Sequence, residues 1–336
     1  MLSRLFRRGP RPEPPIIDAD PAMDDLGLRA ARDRAHTTGD WTALRDVVAE
    51  TGTDWERRTF RLRVLGEDAS TAEGAWLDDW QEAAPDDPAA ALIYAESLHR
   101  RAAKARGGAS ARNTTREQFA EFQALSAQAV SAARRALDLA GPDDPSPLIL
   151  LLNGAFAGRT VDTPEFDAQA TEARRRSPYH FELHLTLVSL YCEKWYGSHA
   201  RMFEAARTVA EGAPAGANAV MLPYLAHFEY AMREFGWDRR DRTSLAAVAT
   251  YFQRREIRDE LDTWAAKWRA GAPHPPGRAM TCRHWLALAA FLGRRKDLAR
   301  ATFAEIGTHH GGTPAWGYFL PGAGSGFLAA WEWAHE

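Results

Sequence analysis

Pro145, Pro178 and Pro214 stand 33 and 36 residues apart, and two runs of helical periodicity fill each interval. Proline sits well in the first turn of a helix and badly in its interior, so these residues punctuate helices. A period near 34 with two helices per interval makes each interval a helical hairpin. A single hairpin cannot bury its apolar face alone, so neighbours must stack. Pro85-Asp86-Asp87-Pro88 and Pro142-Asp143-Asp144-Pro145 repeat one landmark, an Asp N-cap before a Pro-started helix. The 57 residues from Pro88 to Pro145 exceed one unit. The excess maps to a polar insert over 106–115 and a long helix at about 114–140.

Elsewhere the pattern is helical throughout, and Ala, Leu, Arg and Glu dominate. Helices are expected over 23–36, from Trp41 to Thr51, over 54–66 after a Thr53-Asp54 cap, and over 72–83 after Ser70-Thr71. Residues 243–270 form one long helix or two, and the Pro-rich loop 271–277 ends them. The expected organisation is a disordered basic, Pro-rich tail at 1–22, a helical-repeat domain at 23–310 and a Gly/aromatic-rich cap at 311–336.

These units resemble degenerate tetratricopeptide repeats. After Pro178, Tyr191 takes the place of the family's first-helix aromatic, Gly197 that of the turn Gly, Ala206 that of a small crossing residue and Pro214 that of the closing Pro. Ala155, the Gly39-Asp40-Trp41 turn, and Trp285, Gly293, Ala299, Phe303 and Ile306 repeat parts of the pattern. The Trp195-Tyr196-Gly197-Ser198 turn is also similar to a Trp-Gly-Gly-Ser turn in a bacterial helical family of unassigned activity. The resemblance implies an all-α, right-handed superhelix or α-solenoid, with a concave face that holds a protein or peptide partner.

Composition narrows the function classes. The chain has 336 residues and a net charge of −3, so no global basic field favours nucleic acid. Only four of its 42 basic residues are Lys, which points to a high-GC, actinobacterial genome. Cys192 and Cys282 stand alone in apolar runs. They fit a reducing cytoplasm better than a disulfide or zinc framework. No apolar run approaches the roughly 18 residues of a membrane span.

The chemical candidates are sparse. His180 and His184 lie at i,i+4, the spacing of paired metal ligands, and His227 or Glu229 is a possible third. The plainer account is a helix seam. Ser198-His199 is no dyad, because neighbouring helical residues point about 100° apart. Gly322–Gly326 lacks the Lys and the preceding strand of a phosphate loop. His309-His310 reads as a surface pair. Trp41, Trp76, Trp80, Trp264, Trp268 and Trp285 read as core, and Trp195, Trp237 and Trp316 as turn residues open to solvent.

The leading expectation is a cytoplasmic interaction scaffold with no catalytic residues and no cofactor. The alternative is an enzyme or small-molecule or metal-binding protein whose pocket lies near His184, Tyr191 and Trp195. Tyr196, His199 and His227 complete its binding set. A closed cavity with convergent polar groups favours the second, and a broad groove the first.

Overall fold

The computed structural model describes residues 13–71, 74–108, 113–158, 160–195, 197–236, 242–311, 315–320 and 322–336. Helices α1 (Leu26–Thr38), α2 (Thr42–Ala49), α3 (Trp55–Ala69), α4 (Trp76–Ala83), α5 (Pro88–Arg106) and α6 (Arg116–Leu139) form the first half with α7 (Ser146–Asn153), α8 (Ala155–Gly158) and α9 (Pro164–Arg176). The second half has α10 (Phe181–Leu190), α11 (His199–Gly212), α12 (Leu222–Ala231), α13 (Arg242–Phe252), α14 (Arg255–Arg269), α15 (Arg278–Leu292), α16 (Lys296–Ile306), α17 (Trp316–Phe319) and α18 (Ala323–His335). The described residues contain no strand, only one isolated bridge between Asp18 and His309.

Local chemistry sets most boundaries. Asp54 accepts from the Arg57 amide and starts α3. Asp87 accepts from the Ala89 amide ahead of Pro88. Thr115 and Gln118 form a reciprocal capping box on α6. Residues 243–270 are two helices, broken at Gln253-Arg254. Residues 72–73 lie outside the described residues, and α4 starts later than expected, at Trp76.

Consecutive helices pack as pairs, α1 on α2, α5 on α6, α10 on α11 and α15 on α16, with three-residue turns at 39–41 and 293–295. The α3/α5 crossing is tight, because a Cβ on Gly66 would lie 2.4 Å from Glu96 Cγ. The absent side chain brings Glu96 beside Arg63. Two large cores result, one over residues 22–190 and one formed mainly by residues 181–334. They share α10, which gives Leu183, Leu187 and Leu190 to the first and Phe181 and Val188 to the second. Most of α10 is buried, its polar Glu182, His184 and Thr186 included.

The first and last described helical regions meet. Helix α3 packs on both α10 and α15. Asp18 and Thr308 pair through their backbones at 2.9 Å, and the His310 amide donates to Asp18 at 2.8 Å. Ala22 and Met23 are buried. The segment from Asp18 onward is seated at this junction: proline has no N–H to donate, but Asp18 and Asp20 supply carboxylates to Arg29 and Arg32.

Candidate functional site

A cavity of about 410 Å³ opens where the two halves face each other. Helix α5 supplies one wall, because Glu96, His99, Arg100, Ala103 and Arg106 recur at helical spacing on one face. Helix α3 adds Arg63, α10 adds Leu185, Thr186 and Ser189, and the 3₁₀ turn Glu193–Trp195 adds Lys194 and Trp195. Glu229 of α12 and Tyr318 of α17 close the far side.

The polar groups are cross-braced. Arg100 donates to Glu96 from Nε at 2.7 Å, and its Nη2 lies 2.6 Å from the same oxygen. Arg63 and Arg278 both pair with Glu182, which is buried behind the wall on α10. Burial opposes ionisation of Glu182, but Arg278 and Arg63 outweigh it and hold the carboxyl below its usual range. Burial pushes Arg278 down to about 10, against the pull of Glu182. Lys194 Nζ bonds Glu229 at 2.8 and 2.6 Å, and the Tyr318 hydroxyl donates to Glu229 at 3.3 Å. Wall and backing hold five cations, Arg63, Arg100, Arg106, Lys194 and Arg278, against the three carboxylates of Glu96, Glu182 and Glu229. An aromatic corner completes the site: Trp195 meets Phe156 edge-on at 5.0 Å, and Arg106 lies 5.1 Å over the indole. His99 donates to the Leu150 carbonyl at 3.0 Å, and burial lowers its pKa, so it stays neutral.

The sequence candidates are dispersed. Trp195 lines this cavity, whereas His184 and Tyr191 line a separate groove of about 590 Å³ between α10 and α11. His184 donates to the Pro178 carbonyl at 2.7 Å, and burial lowers its pKa to about 4. His180 caps α10 by accepting from Leu183, and its Nε2 lies 3.1 Å from both the Trp55 carbonyl and Thr59. The pair at i,i+4 therefore points at separate carbonyls, not at one shared centre. His227 is buried against Tyr251, 2.6 Å from its hydroxyl. His199 faces Glu193 and Glu234. Tyr196, Trp237, Arg239 and Arg240 lie outside the described residues.

Several expectations change. Trp316 is fully buried, because its indole donates to His284 Nδ1 at 3.0 Å; a turn position did not imply exposure. His310 is buried too, not part of a surface pair. The Gly322–Gly326 stretch opens α18. Burial pushes the Cys192 thiol up, and its Sγ donates to the Val188 carbonyl, so it is inert. Sequence reasoning missed Arg63, Glu96, Arg100, Glu182 and Arg278. The available signal was weak: charged residues inside otherwise apolar helical stripes.

No protein-family model, curated protein or solved structure matches this chain.

Proposed function

We propose that the protein binds a small organic anion with a flat or apolar portion in the cavity between its two halves. One observation carries this reading: positive charge predominates around the cavity in a chain whose net charge is −3. Such a local reversal of sign concentrates anions against a low-dielectric wall. The volume is within the usual range for small-molecule sites. A guanidinium has five N–H donors, and the Glu96 contacts of Arg100 engage only Nε and Nη2. Trp195 and Phe156 would take the apolar part. We read the array itself as a tetratricopeptide-like right-handed superhelix turned in on itself.

The test is a thermal-shift and calorimetric screen of carboxylates and phosphate esters on the intact chain. A ligand at 100 times its Kd should add about 2.7 kcal/mol of stability. Arg100→Gln and Trp195→Ala should each weaken binding at least about tenfold, roughly 1.4 kcal/mol. If no anion shifts the melting temperature, the reading fails.

The groove between α10 and α11 favours a second reading, an adaptor that holds a partner's peptide. Tyr179 is partly exposed there, and Arg174, Tyr191 and Arg201 share its lining. Tyr179→Ala would then reduce capture of that partner and leave anion binding intact.

A further inference from the structure

We propose that Glu193, His199 and Glu234 form a site for a divalent first-row transition-metal ion. The three residues come from three separate elements. Glu193 begins the 3₁₀ turn after α10, His199 is the first residue of α11, and Glu234 lies in the π turn Met232–Gly236 that extends α12. Single-turn π segments recur at functional sites because they re-aim a side chain. Here the π turn points a carboxylate back at the α10–α11 connection.

The donor atoms share one centre. His199 Nε2 lies 3.0 Å from Glu193 Oε2 and 2.9 Å from Glu234 Oε1. All three atoms are within 4.8 Å of one another. Metal–ligand bonds of about 2.1 Å place neighbouring donors of an octahedral ion about 3 Å apart. The two nitrogen–oxygen edges have that length. A hydrogen-bond account fits less well. Nε2 carries at most one proton, yet two carboxylate oxygens approach it equally closely. One of them gains little from that proton, and the two carboxylates repel each other. A dication would satisfy both oxygens and the imidazole lone pair together.

The contacts around Glu193 and the imidazole ring fit a metal, while His199 Nδ1 is buried with no protein acceptor among the described residues. Arg233 Nη2 holds the other Glu193 oxygen at 3.0 Å, which turns Oε2 toward His199. Such contacts orient metal-binding carboxylates. The Tyr230 ring meets the imidazole edge-on at 4.7 Å and fixes its plane. One imidazole and two carboxylates suit Zn²⁺, Mn²⁺, Fe²⁺ or Co²⁺ over the hard Mg²⁺. Three protein ligands leave positions for water. The residues are partly exposed, so an ion has an entry path.

Glu193 directly precedes Lys194 and Trp195, which line the anion cavity. The metal site does not depend on that cavity, however, and is tested without any anion. Tag-free intact protein is titrated by calorimetry with Zn²⁺ and separately with Co²⁺. The Co²⁺ absorption spectrum reports the coordination. One ion per chain is expected. His199→Ala, Glu193→Gln and Glu234→Gln should each weaken binding at least about tenfold, and circular dichroism checks that each stays folded. His184→Ala and His335→Ala, which remove histidines outside the cluster, should leave the affinity unchanged. The proposal is overturned if the wild-type chain takes up neither ion, or if His199→Ala binds as well as wild type. It also fails if Nε2 is shown by NMR to remain protonated between the two carboxylates at saturating metal.

Discussion

His284 shows how one buried ring can commit a region to a single protonation state. Its Nε2 donates to the His309 carbonyl at 2.8 Å, and its Nδ1 accepts from the Trp316 indole at 3.0 Å. One nitrogen donates and the other accepts, so the neutral tautomer is specified. Burial pushes its pKa down to about 3, and burial likewise holds His184 at about 4. Both folded values are below the unfolded value of about 6.5, so the unfolded chain binds more protons as pH falls from 6.5 towards 4. Stability is therefore present in full above pH 6.5 and lost below it. Each histidine should remove about 2 kcal/mol between pH 7 and pH 5. Melting temperatures recorded across that range should fall, and His184→Gln should flatten the fall. A pH-independent melting temperature would refute the assignment. None of this was legible at the residue level in the sequence. His284 sits in an apolar run, and its partners come from residues 25 and 32 positions away.

At the scale of elements, the turn between α10 and α11 was the best-read part of the sequence. Ser198 is the N-cap of α11 and accepts from the Arg201 amide. Gly197 is required by the close approach of neighbouring backbone. Its φ is not in the left-handed region; a Cβ there would lie 2.0 Å from the Tyr191 carbonyl oxygen. Gly197→Ala should thus destabilise the protein by about 2–4 kcal/mol, measured by denaturant unfolding, because backbone must move. A loss under about 0.5 kcal/mol would show that the turn relaxes freely. Caps such as Asp54, Asp87 and Thr115 were readable because a cap is decided within four residues. The cavity was not readable, since Arg63, Arg100, Lys194 and Tyr318 meet only through tertiary packing. Sequence spacing grouped His184 with Tyr191 and Trp195, yet helical phase sends His184 to one side of α10 while Leu185 and Ser189 face the cavity on the other.

At the scale of the whole molecule, proline spacing revealed helical pairs but not how the ends of the array are disposed. The Asp18–His309 bridge and the α3–α15 contact join regions almost 300 and more than 200 residues apart. Periodicity describes neighbours along a chain and carries no information about such closure. In an open stack of repeats, each unit touches only the next, and the ends fray first. Here the second half begins on a helix that the first half has already enclosed. Helix α10 belongs to both cores, so neither half can open and leave it covered. Its amide protons should be the last to exchange with deuterated solvent, released only when the entire chain unfolds. Mass-spectrometric exchange would show this as protection over 183–190 that matches the global unfolding free energy, with α16 and α18 exchanging earlier.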